Sequence, residues 1–208
     1  MQIIFRQNQR TTMTKFLNRL CKFLTGHCCK EIRHFLTFME LYQRMKPMER
    51  LRIYIDTSVF GGCFDEEFKK PSKALFRAIK AKLATPLISD ILIAELARAP
   101  QEVQNLLSAT LGWGNMERLE ASEEALSLQQ AYMNAGIVVQ KFADDALHVA
   151  HATIARADVI VSWNFKHLVN PAKIRSFNGI NMMKGYGMIV ILSPEDVIMI
   201  MEKENEKD

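Results

Sequence analysis

The chain has 208 residues, 49% of them hydrophobic and 24% charged, a balance that supports a sizeable buried core and excludes wholesale disorder. Its formal charge of +4 is carried by residues 1–47, where nine basic residues (Arg6, Arg10, Lys15, Arg19, Lys22, Lys30, Arg33, Arg44, Lys46) face only Glu31 and Glu40. The rest holds 18 basic and 21 acidic residues, a net of −3, so the basic balance is no sign of a nucleic-acid groove on the main domain.

Residues 1–47 lack the clean apolar stretch and small-residue cleavage site of a secretory signal, and no run in the chain approaches the roughly 20 apolar residues that span a bilayer. The leader is acid-poor and contains Thr11, Thr12 and Thr14, a faint likeness to an organellar transit peptide. Met48 opens MERLRIYIDTSVF as a natural start would, so translation is expected to begin there or at Met45, with 1–47 a basic extension that is disordered or never translated. Cys21, Cys28 and Cys29 lie in this leader and Cys63 stands alone beyond it, which implies no disulfide framework and fits a cytoplasmic protein. Cys28 and Cys29 with His27 and His34 lack the paired CxxC spacing of a zinc site.

From residue 48 to 208 one domain is expected. Arg52-Ile53-Tyr54-Ile55 reads as a buried strand ending at Asp56. Residues 71–84 place Leu75, Ile79 and Leu83 on one helical face, with Pro71 suited to the first turn. Pro86-Leu87-Ile88 reads as a second strand, and Ser89 or Asp90 caps a helix, ILIAELARA, that stops near Pro100. Two more helices are expected over 101–110 and 122–135, the latter followed by Gly136, with Met116 to Leu119 between them as a faint strand signal. The helix DDALHVAHATIARA runs into a strand at residues 158–162. A helix over 171–178, a strand over 188–192 and a capped turn at Ser193-Pro194-Glu195-Asp196 close the domain, leaving EKENEKD as a frayed tail. Strands separated by helices imply an α/β fold with a mostly parallel central sheet and helices on both faces, and in such sheets ligands bind outside the carboxyl ends of the strands.

Several polar residues fall where that edge is expected. Asp56 follows a strand, with Thr57 and Ser58 beside it, a placement that suits metal ligation and helix capping equally. Glu95 sits among Ile91, Leu92, Ile93, Ala94, Leu96 and Ala97, a run that looks buried on most sides. A carboxylate there is paired, protonated or metal-bound, and Arg98 is the local partner. Asp144 and Asp145 open a helix, where the backbone dipole alone favours carboxylates. His148 and His151 follow at zinc-compatible spacing, although HExxH is absent and helical histidines more often pack. Ser162-Trp163-Asn164 lies past the third strand, at the edge that holds Asp56 or as a turn in which Asn164 caps a short helix. The chain has no P-loop, GxGxxG, GxSxG or CxxC pattern.

Taken in order, strand-Asp56-Thr57-Ser58, helical Glu95, Asp145 in DDALHVAHA and strand-end Ser162-Trp163-Asn164 resemble a PIN domain, together with IYIDTSVFGG and VIVSWNFKHL. The resemblance covers essentially residues 48–198. It implies a PIN-like fold and a metal-dependent endoribonuclease of the VapC toxin type. Asp56, Glu95 and Asp145 would then be catalytic ligands of Mg²⁺ or Mn²⁺, with Thr57, Ser58, Asp144, Ser162 and Asn164 in support. It also implies an RNA substrate, a cognate antitoxin protein and a homodimer, with no membrane role. Asn164 stands where members commonly carry a further Asp, and its amide brings an oxygen but no charge. That departure and the −3 balance favour the alternative, a PIN-fold binding module with weak or no catalysis.

Overall fold

The computed structural model describes residues 50–205, so expectations for 1–47, the leader cysteines among them, and for the last three residues of the tail lie outside the described residues. Five strands, β1 (Leu51–Ile55), β2 (Ala84–Ser89), β3 (Glu117–Leu119), β4 (Val159–Val161) and β5 (Ile191–Leu192), form one sheet in the order β3-β2-β1-β4-β5. Every pairing is parallel. The helices are α1 (Thr57–Gly62), α2 (Lys69–Lys80), α3 (Asp90–Leu96), α4 (Gln101–Leu111), α5 (Glu123–Asn134), α6 (Ala143–Ile154), α7 (Pro171–Met183) and α8 (Pro194–Asn205).

Side-chain alternation sorts the core into two layers. Ile53 and Ile55 of β1, Ile88 of β2 and Val159 and Val161 of β4 face one cluster, which α1 to α4 and α8 complete with Phe60, Leu75, Leu92, Val103 and Val197. Tyr54, Leu87 and Ile160 face the other, completed by Tyr132 of α5, Val149 and Ala150 of α6 and Phe177 of α7. Burial on both faces is why the strands read as unbroken apolar runs. The fold is thus α/β with helices on both faces, as expected, and its sheet is parallel throughout the described residues.

Local chemistry explains where the boundaries moved. Helix α2 begins at Lys69 with Pro71 in its first turn and ends at Lys80, short of the expected 84. Lys82 takes a left-handed φ of 62° that no helix continues through, and Leu83, expected on the core face, is 45% exposed. Strand β2 then runs longer than expected, through Pro86; β3 pairs with it only from Leu87 onward, past the residue that has no N–H to give. Ser89 caps α3 by accepting from Leu92 N at 3.3 Å, and α3 stops at Leu96, where the Pro-flanked α4 follows. Helix α1 follows Asp56 directly, and Asp56 stands at its N-cap position without a side-chain capping hydrogen bond, so the capping alternative gives the helix but not the cap. Helix α7 extends to Met183, beyond the expected 178. The turn at Ser193 opens a whole helix, with Ser193 Oγ donating to Asp196 Oδ2 at 2.6 Å and accepting from Asp196 N at 3.2 Å, so residues expected to fray lie in α8 as far as Asn205. No described helix is long and apolar enough to cross a membrane.

Candidate functional site

The sheet order places β1 between β2 and β4, with β2 and β3 added on one side of β1 and β4 and β5 on the other, so the crevice at the carboxyl ends of β1 and β4 is the topological switch point. Asp56 and Ser162 sit there side by side. Asp56 N donates to Val161 O and Ser162 N to Leu192 O, each at 3.0 Å, which continues the ladder by one residue and aims both side chains past the sheet. Asp56 is buried, and its Oδ2 accepts from Ser58 Oγ at 2.5 Å and Ser162 Oγ at 2.7 Å. The two hydroxyls are themselves fixed, Ser58 Oγ accepting from Trp163 N and Ser162 Oγ from Asn164 N, both at 2.9 Å.

Glu95 is half-buried on α3, whose exposed Ala94, with Ala97 exposed just past its end, shows that this helix is not buried on most sides. Its partner is not Arg98 but His148 of α6, with Oε2 3.1 Å from Nε2. The His148 ring is buried and its Nδ1 lies 2.7 Å from the Tyr54 hydroxyl, which lies 2.7 Å from Ser89 Oγ. Burial works against the imidazolium, yet the hydrogen bond to Glu95 and the charges of Asp56, Glu95 and Asp145 hold the His148 pKa above the ordinary histidine value. Burial likewise works against the Glu95 carboxylate, and His148 and the Thr57 hydroxyl outweigh it, holding its pKa below the usual range. Burial pushes up the Tyr54 hydroxyl, which stays neutral.

Asp145 enters from the first turn of α6. Its Oδ1 accepts from Asn164 Nδ2 at 3.1 Å, while Oδ2 is buried with no hydrogen-bond partner among the described residues. Burial foremost, then the charge of Asp56, with a smaller push from Glu95, raises its pKa to about 6. The three carboxylates therefore occupy one electrostatic neighbourhood, each with a supporting side chain: Ser58 and Ser162 on Asp56, Thr57 and His148 on Glu95, Asn164 on Asp145. Asp144, by contrast, is exposed and joins no part of this network.

The donor set is oxygen, which suits a hard cation, and the orphaned Oδ2 of Asp145 is the kind of atom a cation satisfies. Among the described residues, however, no three His, Cys, Asp or Glu side chains stand arranged to hold an ion as they are. The zinc alternative fares worse, since both ring nitrogens of His148 are engaged by Tyr54 and Glu95. Sequence reasoning missed the Tyr54–Ser89 support beneath the site. The available signal was a hydroxyl-bearing Tyr inside an otherwise aliphatic strand, which needs a polar partner when buried.

No family model matches the chain, and no curated protein does. Among solved structures, VapBC2 from Rickettsia felis, bound to a DNA fragment from its promoter, is similar at 15% identity over 69% of this chain and 98% of that one, with a TM-score of 0.44. The DNA-bound VapBC from Salmonella typhimurium is similar at 17% identity over 69% and 98% of the two chains, with a TM-score of 0.43. The chain folds as an α/β domain around a five-stranded parallel sheet, with Asp56, Glu95 and Asp145 in one electrostatic neighbourhood at its switch point.

Proposed function

We propose that the chain is a metal-dependent endoribonuclease of the toxin type, hydrolysing RNA phosphodiester bonds at the β1/β4 edge. The observation that carries this reading is Asp145 Oδ2, a buried carboxylate oxygen without a donor, in the field of Asp56 and Glu95. A protein that needed Asp145 only for folding would supply that oxygen with a proton donor, as it does for Oδ1. Asp56, Glu95 and Asp145 would hold Mg²⁺ or Mn²⁺. When bound, the ion lowers the pKa of a water and neutralises charge on the scissile phosphate.

The chain's own side chains set the stage for that chemistry. Ser58 and Ser162 fix one oxygen of Asp56, and the Tyr54–His148 pair fixes one oxygen of Glu95, so neither carboxylate must be ordered when a cation arrives. Asn164 orients Asp145 without adding charge, leaving a site with fewer anions than a four-carboxylate centre and a correspondingly weaker hold on a second ion. A cognate antitoxin protein, a homodimeric state and a cytoplasmic location belong to the same reading through the sequence resemblance.

A second reading, a PIN-fold binding module without catalysis, draws on the amide of Asn164 and on the absence, among the described residues, of a ready-made ion cage. One experiment separates the two. The full chain is expected to cleave single-stranded RNA with Mn²⁺ or Mg²⁺ and to stop with chelator. Asp56→Asn is expected to abolish cleavage while changing stability by roughly 1 kcal/mol. Equal cleavage by the two proteins would point to a contaminating nuclease and overturn the assignment. No cleavage by the wild type, with metal-independent capture of a partner protein, would favour the binding module.

A further inference from the structure

Beside the carboxylates, three lysines gather round one pair of rings. Lys141 and Lys166 bring their ammonium nitrogens 5.6 Å and 5.9 Å from the centroid of Phe142. Phe142 packs on His167 with centroids 3.9 Å apart, and Lys173 Nζ lies 3.1 Å from His167 Nδ1. None of the three lysines pairs with a carboxylate among the described residues. In a domain whose residues from 48 on carry a net −3, such a concentration is not an overflow of general basicity.

The histidine adds a second, independent sign. An ammonium group only donates, so His167 Nδ1 accepts from Lys173 and the ring proton sits on Nε2. Nε2 is buried and has no hydrogen-bond partner among the described residues, in a residue only 8% exposed. Burial first, then the charges of Lys173 and Lys166, holds the His167 pKa below its ordinary value, in keeping with the neutral ring. Three cations without a carboxylate partner among the described residues make a patch suited to an anion.

This patch is wired to the carboxylate edge. His167 N donates to Asn164 Oδ1 at 3.0 Å, Asn164 Nδ2 donates to Asp145 Oδ1 at 3.1 Å, and the Lys173 charge is felt at Asp145. Phe165, which precedes Lys166 in the chain, is 51% exposed, with its ring centroid 6.0 Å from that of Trp163. An exposed aromatic face stacks on an unpaired base and has nothing to offer a base inside a duplex.

We propose that Lys141, Lys166 and Lys173 seat a backbone phosphate of single-stranded RNA next to the scissile one, with Phe165 stacking on a base of that strand. The assignment of the scissile phosphate rests on the nuclease reading; the grip on the strand does not require cleavage. The lysines set the register of the strand, and the carboxylates act on the neighbouring linkage.

The test is fluorescence anisotropy of the full chain with a fluorescein-labelled oligouridylate in EDTA, across a salt series. The triple variant Lys141→Gln, Lys166→Gln, Lys173→Gln is expected to bind more weakly. Its slope of log affinity against log salt should be shallower by about 0.7, the share of one lost phosphate contact on a single strand. The corresponding triple Lys→Arg variant is expected to restore the slope, and Phe165→Ala to weaken binding without changing it. Cooperative unfolding of each variant, followed by circular dichroism, guards against loss of fold. No binding by the wild type, an unchanged slope in the Gln triple, or equally lysine-dependent binding of a duplex would overturn the proposal. Lysine-dependent binding without Mn²⁺-driven cleavage would sink the nuclease reading and leave the patch standing. Cleavage by a Gln triple with unaltered binding would do the reverse.

Discussion

Asp145 has one oxygen held by Asn164 and one held by nothing, and its ionisation is disfavoured first by burial and then by Asp56 and Glu95. A carboxyl whose folded pKa of about 6 stands above its ordinary 3.8 binds its proton more tightly folded than unfolded. Its contribution to stability therefore falls as pH rises through that window and is constant above it. Glu95, with a lowered pKa, acts in the opposite sense, losing its contribution as pH falls through its folded value, and His148, with a raised one, loses its contribution as pH rises. Comparing wild type with Asp145→Asn isolates the one group. In urea unfolding without metal, the wild type is expected to lose on the order of 1–2 kcal/mol relative to the variant between about pH 4 and 7, after allowance for partial solvent screening. A flat difference across that range would show that the carboxylate is not strained. Added Mn²⁺ is expected to abolish the trend in the wild type, since a cation answers the same repulsion that protonation does.

At the scale of elements, the short helix α1 shows how the site depends on close packing. A Cβ on Gly62 would lie 2.7 Å from Ser72 Oγ and 2.8 Å from Trp163 Nε1, the two atoms that hydrogen-bond each other at 2.8 Å. Trp163 stacks on Phe68 with centroids 4.5 Å apart, and its backbone N–H holds Ser58, which holds Asp56. Gly62→Ala is expected to cost about 1–3 kcal/mol, the usual penalty of overpacking, and to shift Trp163 fluorescence. Gly61→Ala, one residue earlier, meets nothing within 4 Å and is expected to be neutral or stabilising by up to about 1 kcal/mol, because alanine is the better helix former. Chemical denaturation of the pair checks both. A Gly62→Ala protein as stable as Gly61→Ala would mean that the strand-end turn tolerates displacement.

At the scale of the molecule, the two core layers draw on every described strand except the edge strand β3, whose Leu119 only packs against one of them, and they reach from Ile53 to Met201. A chain beginning at Met48 is therefore expected to unfold in one cooperative transition, at a midpoint within a few degrees of the full chain. Broad, non-cooperative melting of that shorter protein would show that residues 1–47 contribute to the core. The same two layers explain why the architecture was legible. Apolar runs such as IYI and VIV, bounded by caps and turn residues, mark strands covered on both faces, and Ser89, Ser122 and Pro171 mark helix starts from chemistry confined to a few residues.

What the sequence by itself determined is the alternation of strands and helices, and with it the edge position of Asp56, because both depend on local periodicity and on where an apolar run ends. The tertiary structure alone decided the partners. Glu95 could pair with Arg98 three residues away, yet it meets His148, 53 positions on; Asp145 meets Asn164, and Lys173 meets His167 beside Lys141 and Lys166. Asp144 and Asp145 are adjacent and chemically identical, and the rotation of α6 against the sheet half-buries one, shielding its Oδ2, and leaves its neighbour exposed. Periodicity records which face of an element is apolar but not which polar side chains from distant elements share the space above a sheet edge. Those choices are made by packing between elements, where a rotation of one helical residue, about 100°, moves a carboxylate from the site to solvent.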